Sequence, residues 1–148
     1  MRTFCLLLAA SMLLVAPALV SAGDAPTATL TVKVTGLRSE KGKVKVALHA
    51  SKDTFPTKRK LVYAGLTVPV NGHRATAVFP ELPPGDYAVA AFHDEDNDGR
   101  LDRSVIGIPT EGTAASRNPK PRMGPPRWKD CKLSLEPGET ETEIRIRY

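Results

Sequence analysis

The sequence predicts an all-β domain, a single antiparallel β-sandwich or small barrel of about seven short strands. Two observations carry this. Apolar and polar residues alternate in short runs along most of the chain, and clusters of Gly, Pro, Asn and Asp separate those runs. No run has the apolar periodicity of an amphipathic helix.

The first alternating run is Ala28 to Val34, ATLTVKV, with Leu30, Val32 and Val34 on one face. A polar turn from Gly36 to Gly42 leads to Lys43 to His49, KVKVALH, with Val44, Val46 and Leu48 directed inward. One dry and one wet face is the pattern of antiparallel sheets. Tyr63 to Val70 and His73 to Phe79 flank Asn71-Gly72, a tight-hairpin signal. After the turn Glu81 to Asp86, the run Tyr87 to His93 (YAVAAFH) is too apolar for an exposed edge and is predicted to be central. Its alanines leave room for larger neighbours to pack over it. Cys131 to Leu135 and Glu141 to Tyr148 complete the strands, the latter placing Ile144, Ile146 and Tyr148 on one face.

Residues 1–22 are set apart as a signal peptide, with cleavage expected after Ala22. Arg2 supplies the positive charge, Phe4 to Val15 is nearly all apolar, and Val20-Ser21-Ala22 offers small residues at the cleavage point. The apolar run is too short for a membrane span, and Pro17 interrupts it. Residues 23–148 then form one exported domain, periplasmic or secreted, and a monomer is expected. With Cys5 in the leader, Cys131 is alone and no internal disulfide can form, so packing or a bound metal must stabilise the domain. Cys131 is expected to be buried.

One region breaks the alternation. Residues 111–130 contain Pro119, Pro121, Pro125 and Pro126, and the stretch from Arg117 to Lys132 holds six basic residues against Asp130 alone. This Pro-rich basic loop is expected to be a surface excursion, and residues 107–130 are where a protein or carbohydrate partner would dock. Trp128 would either stack on a sugar or cap the end of the core.

The acidic side chains concentrate in HDEDNDGRLD, His93 to Asp102. Counted from Asp94 as the first position, Asp96, Asp98, Gly99, Arg100 and Asp102 fall where an EF-hand loop places its ligands and its turn glycine. Aspartates on alternate residues of a tight loop converge on one hard cation, and Arg100 would contribute its backbone carbonyl. The metal ligands expected are therefore Asp94, Asp96, Asp98, Arg100 and Asp102, with Ca2+ as a structural ion. The closing glutamate of an EF-hand is replaced by Val105, so further oxygens must come from water or another segment, Glu111 being one candidate. The competing reading has no metal: the loop's five acids pair with the basic loop through Arg117, Arg122 or Arg127, or the loop is a plain solvated turn.

Other classes fit less well. His49, His73 and His93 form no closely spaced pair, so zinc is not expected, and no glycine-rich phosphate loop is present. No catalytic residue is assigned; a small hydrolase or lyase would have to use Asp94, Asp96 or Asp102 with His93. The formal charge of +5 attracts anions without specificity, yet export and the lack of interleaved aromatics argue against nucleic acid. An integral membrane barrel is not expected either, because one Trp, three Tyr and four Phe are too few for aromatic girdles.

The ordered succession AVAAFHDEDNDGRLD (Ala88 to Asp102), IGIPTEG (Ile106 to Gly112) and GPPRWKD (Gly124 to Asp130) resembles domain-of-unknown-function family 2141. The resemblance implies a small exported bacterial β-sandwich, transthyretin-like or immunoglobulin-like, with no assigned activity. The acidic stretch also resembles calcium-binding loops of bacterial surface β-sandwich modules, which implies the same five positions as ligands.

Overall fold

The computed structural model describes residues 25–58, 62–120 and 122–148; the expected signal peptide lies outside them. Among the described residues, eight strands and one short helix follow in the order β1 (Ala28–Thr35), β2 (Lys43–His49), β3 (Ala64–Pro69), β4 (Ala75–Leu82), β5 (Gly85–Asp94), β6 (Thr113–Ala115), α1 (Trp128–Cys131), β7 (Leu133–Leu135) and β8 (Gly138–Arg145). They form two sheets, β4-β1-β8 and β3-β2-β5-β6, with β7 also pairing with β5. The fold is a β-sandwich.

Alternation explains the core directly. Leu30, Val32 and Val34 of β1 and Val44, Val46 and Leu48 of β2 are buried and meet Val89, Ala91 and Ile144 between the sheets. Each fully buried aliphatic side chain of this kind contributes about 1.5–3 kcal/mol. β5 is central, as its composition predicts, hydrogen-bonded to β2, β6 and β7. No helix among the described residues is long and apolar enough to cross a membrane.

Three features depart from the sequence expectation. β1 and β8 run parallel, from Ala28 opposite Gly138 to Thr35 opposite Arg145, whereas the other strand pairings are antiparallel. The turn at Asn71 forms, with Gly72 and His73 both at positive φ and reciprocal hydrogen bonds between Asn71 and Arg74. Beyond that turn the strands part: β3 pairs with β2 and β4 with β1, so the turn links the two sheets instead of closing a hairpin ladder. The basic loop also contains structure of its own. Thr113–Ala115 pairs with β5, and Trp128–Cys131 forms a single helical turn where the sequence reading began a strand at Cys131.

The outer face of β2 and β5 carries a second, smaller cluster of Phe55, Ala88, Ala115 and Cys131, with Ala90 and Trp128 packed against it. The alanines of β5 make room for these rings. Trp128 meets Phe55 edge-on at 5.9 Å, so it caps this cluster. Cys131 is fully buried, and desolvation first, then the neighbouring Asp130, pushes its thiol up to about 11. So high a value leaves negligible thiolate near neutral pH.

His49 is buried beside Phe55, their rings edge-to-face at 5.4 Å. Because the Thr54 hydroxyl donates to Ser51 O, its oxygen accepts from His49 Nδ1 at 3.2 Å, leaving Nε2 buried and unpartnered. Desolvation lowers the pKa of His49 below the ordinary imidazole value. The unfolded chain therefore takes up the proton first, and stability is lost as pH falls through the unfolded value of about 6.5 toward the folded one. The melting temperature should drop between about pH 7.5 and about pH 5.5, and less steeply in His49→Leu. Equal slopes in the two proteins would clear His49 of the effect.

Candidate metal centre

β5 delivers the acidic loop. Its last residue, Asp94, is 1% exposed although it is a carboxylate. Asp94 Oδ2 accepts the Gly99 N–H at 3.1 Å and lies 3.7 Å from Lys45 Nζ on neighbouring β2. Asp94 Oδ1 is buried and has no hydrogen-bond partner. An unsatisfied carboxylate oxygen withdrawn from water is costly unless something positive meets it.

The loop turns through two overlapping Asx turns. Asp96 Oδ1 accepts the Asp98 N–H at 3.1 Å, and Asp98 Oδ1 accepts the Arg100 N–H at 2.6 Å. Asn97 and Gly99 take positive φ, which reverses the chain within a few residues. Beyond Asp102 the chain makes a small hairpin: Arg103 bridges Pro109, and Thr110 N–H donates to Asp102 O at 3.0 Å. It then returns to the sheet at Glu111.

Glu111 closes the loop. It is 5% exposed, and its carboxylate accepts the Glu95 N–H at 2.8 Å and the Asp102 N–H at 3.2 Å, tying the two ends together. Carboxylate oxygens of Asp94, Asp96 and Glu111 lie within 4.8 Å of one another. The fold thus gathers two of the five expected ligands, Asp94 and Asp96, around Glu111. Asp98, Arg100 and Asp102 remain exposed on the same loop, outside this cluster.

Glu95 belongs to a different arrangement. It pairs with the Arg38 guanidinium and accepts the Ser39 hydroxyl at 2.8 Å, and these partners, Arg38 foremost, hold its carboxyl below its usual range. Arg38 also stacks 4.2 Å over the Tyr148 ring. Sequence reasoning missed Arg38, Ser39 and Lys45, since no local pattern marks a partner on a distant segment of the chain. Among the described residues, the ion pairs of the acidic loop go to Arg38 and Lys45, not to Arg117, Arg122 or Arg127.

His93 is fully buried and has both nitrogens engaged. Its Nε2–H donates to Lys41 O at 2.7 Å, and its Nδ1 accepts the Tyr148 hydroxyl at 2.6 Å; that hydroxyl in turn accepts the Arg38 N–H at 3.1 Å. A base must have a free lone pair beside its substrate. His93 has neither access nor a lone pair to spare, so it braces the loop's base. Tyr148→Phe strands His93 Nδ1 as a buried acceptor, and a loss of about 1–3 kcal/mol in urea denaturation is expected.

A β-sandwich whose central strand runs into a carboxylate-lined loop defines a class by architecture. The particular family follows from comparison: residues 32–143 match the family described as "Uncharacterized protein conserved in bacteria (DUF2141)", and the chain belongs to it. Among solved structures, it is similar to a pilus-presented adhesin at 13% identity and a TM-score of 0.27, over 82% of this chain and 27% of that one. No curated protein matches.

Proposed function

We propose that the protein is an exported β-sandwich binding or accessory module whose β5–β6 connection binds a structural calcium ion. The observation that carries the reading is Asp94 Oδ1, buried without a partner in a group with Asp96 and Glu111. An all-oxygen donor set suits a hard cation, and calcium tolerates the irregular geometry of a loop. Asp94, Asp96 and Glu111 supply the core of the site. The Arg100 carbonyl, Asp98 and Asp102 stand as the remaining donors from the same loop, with water completing a shell of about six to eight oxygens.

The ion's task in this reading is mechanical. It offsets mutual repulsion among the carboxylates and locks the loop to β5 and Glu111, so that residues 107–130 present a defined surface to a protein or carbohydrate partner. An exported module can function with calcium affinity of roughly 10⁻⁴ to 10⁻³ M, because its surroundings supply the ion. Calorimetric titration of chelator-treated protein is the test. Saturable heat with calcium, weaker with magnesium, is expected; no heat and no thermal stabilisation at ~5 mM calcium would overturn the proposal.

A further inference from the structure

We infer that the concavity between the start of the basic loop and α1 is an anion site for a ligand bearing a di- or triphosphate group. The space is about 420 Å³ and is lined by Arg117, Pro119, Lys120, Arg122, Arg127, Lys129 and Asp130. Five of these side chains are cationic and one is acidic. Of these five cations, only Arg122 has a carboxylate of the described residues in ion-pair range, Asp130 at 3.8 Å. The excess positive charge is therefore held in one place without internal neutralisation.

Both walls are anchored. On one side Arg117 and Asn118 adopt consecutive left-handed conformations, with φ of 64° and 48°. Two such residues in succession, neither of them glycine, are strained and persist only where their surroundings hold them. Asn118 does the holding: its Nδ2 donates to Glu143 O at 2.9 Å and its Oδ1 accepts the Arg145 N–H at 2.7 Å. Arg147 adds a hydrogen bond to Pro119 O at 2.9 Å. These contacts fasten the loop to β8 and its continuation. On the other side Arg127 and Lys129 flank Trp128, whose ring is seated on the outer apolar cluster through Phe55. The cations thus project from backbone fixed to the sandwich on both sides.

Charge selects the ligand. A lone phosphate or a single carboxylate would leave much of the charge of five cations unmatched. A short phosphate chain places about three or four negative charges within the reach of several Arg forks and Lys ammonium groups. This site is separate from the carboxylate cluster, and the contacts that hold its walls, to β8 and to Phe55, do not involve that cluster.

Trp128, the sole tryptophan, lies between two lining residues and serves as the reporter. Sodium tripolyphosphate is titrated into the metal-free protein in low salt, followed by fluorescence and calorimetry. Saturable one-to-one binding that weakens with added salt is expected. Arg122→Glu and Arg127→Glu should each raise the dissociation constant at least about fivefold with an unchanged melting temperature. Arg74→Glu, an equal charge change outside the concavity, should alter it by less than about twofold. The inference is overturned by absence of saturation at ~10 mM tripolyphosphate. It is equally overturned if the two lining variants bind like the parent protein, or if Arg74→Glu weakens binding as much as they do.

Discussion

Asp94→Asn should change sign with calcium: close to neutral or stabilising without the ion, and destabilising relative to the parent protein with it. Without calcium, the parent buries a carboxylate with one oxygen unpartnered and Lys45 Nζ at 3.7 Å as the nearest compensation. Replacing the charge by an amide retains an acceptor for the Gly99 N–H and removes the cost of a half-satisfied buried ion, for a change of about 0–2 kcal/mol in favour of folding. With calcium at ~5 mM and affinity of roughly 10⁻⁴ to 10⁻³ M, the parent gains about 1–2 kcal/mol by linkage. That gain corresponds to a rise of roughly 3–8 °C in melting temperature, which Asp94→Asn should lack. Thermal melts of both proteins with chelator and with calcium decide the matter. If Asp94→Asn is equally destabilised in both conditions, Asp94 is a structural acid and the metal reading fails.

Gly42→Ala should be among the most damaging single changes in the chain. Gly42 has a φ of +69°, and a Cβ there would lie 1.9 Å from Asp94 O and 2.6 Å from Glu95 Cα. Both are backbone atoms of the strand end that launches the acidic loop, so no rotamer change relieves the contact. The left-handed conformation and the overpacking together cost about 2–5 kcal/mol. Gly72→Ala is the matched control: its φ is +58°, but nothing lies within 4 Å of the added carbon. It should lose about 1 kcal/mol. Urea denaturation of the pair separates steric contact from backbone preference. Comparable losses would show that the close approach of Gly42 to Asp94 does not matter. Where Gly42→Ala still folds, its displaced loop should also bind calcium more weakly.

Most of the strands were legible because their signal is local. Leu30, Val32 and Val34 are inward in the sequence pattern and buried in the fold, as are Val44, Val46 and Leu48. The reversal at Asn71 was legible for the same reason, since a left-handed pair of residues suffices to make it. β6 was not: three residues, Thr113–Ala115, are too short for alternation to mark them. α1 likewise is a single turn, stabilised by the seating of Trp128 on Phe55 more than by any helical pattern.

The acidic site divides along the same line. Spacing singled out Asp94 and Asp96 as candidates and marked the turn at Gly99, because Asx turns and positive φ act within a few residues. Glu111 was named from sequence only as a neighbour; the return of the chain at β6 is what brings it to Asp94 and Asp96. The choice of Arg38 over the basic loop as the partner of Glu95 also depends on which segments lie side by side.

By itself, then, the sequence determined most of the strands, most of their inward faces, the turn chemistry and the candidate loop, all set by interactions between residues a few positions apart. Tertiary structure alone decided that β1 lies parallel to β8, that the strands beside the Asn71 turn part into different sheets, and that His93 is a brace instead of a base. Those outcomes join residues far apart in the chain, as His93 meets Tyr148. Such pairings are selected by the shared burial of faces whose local patterns look alike, so composition and spacing cannot rank them.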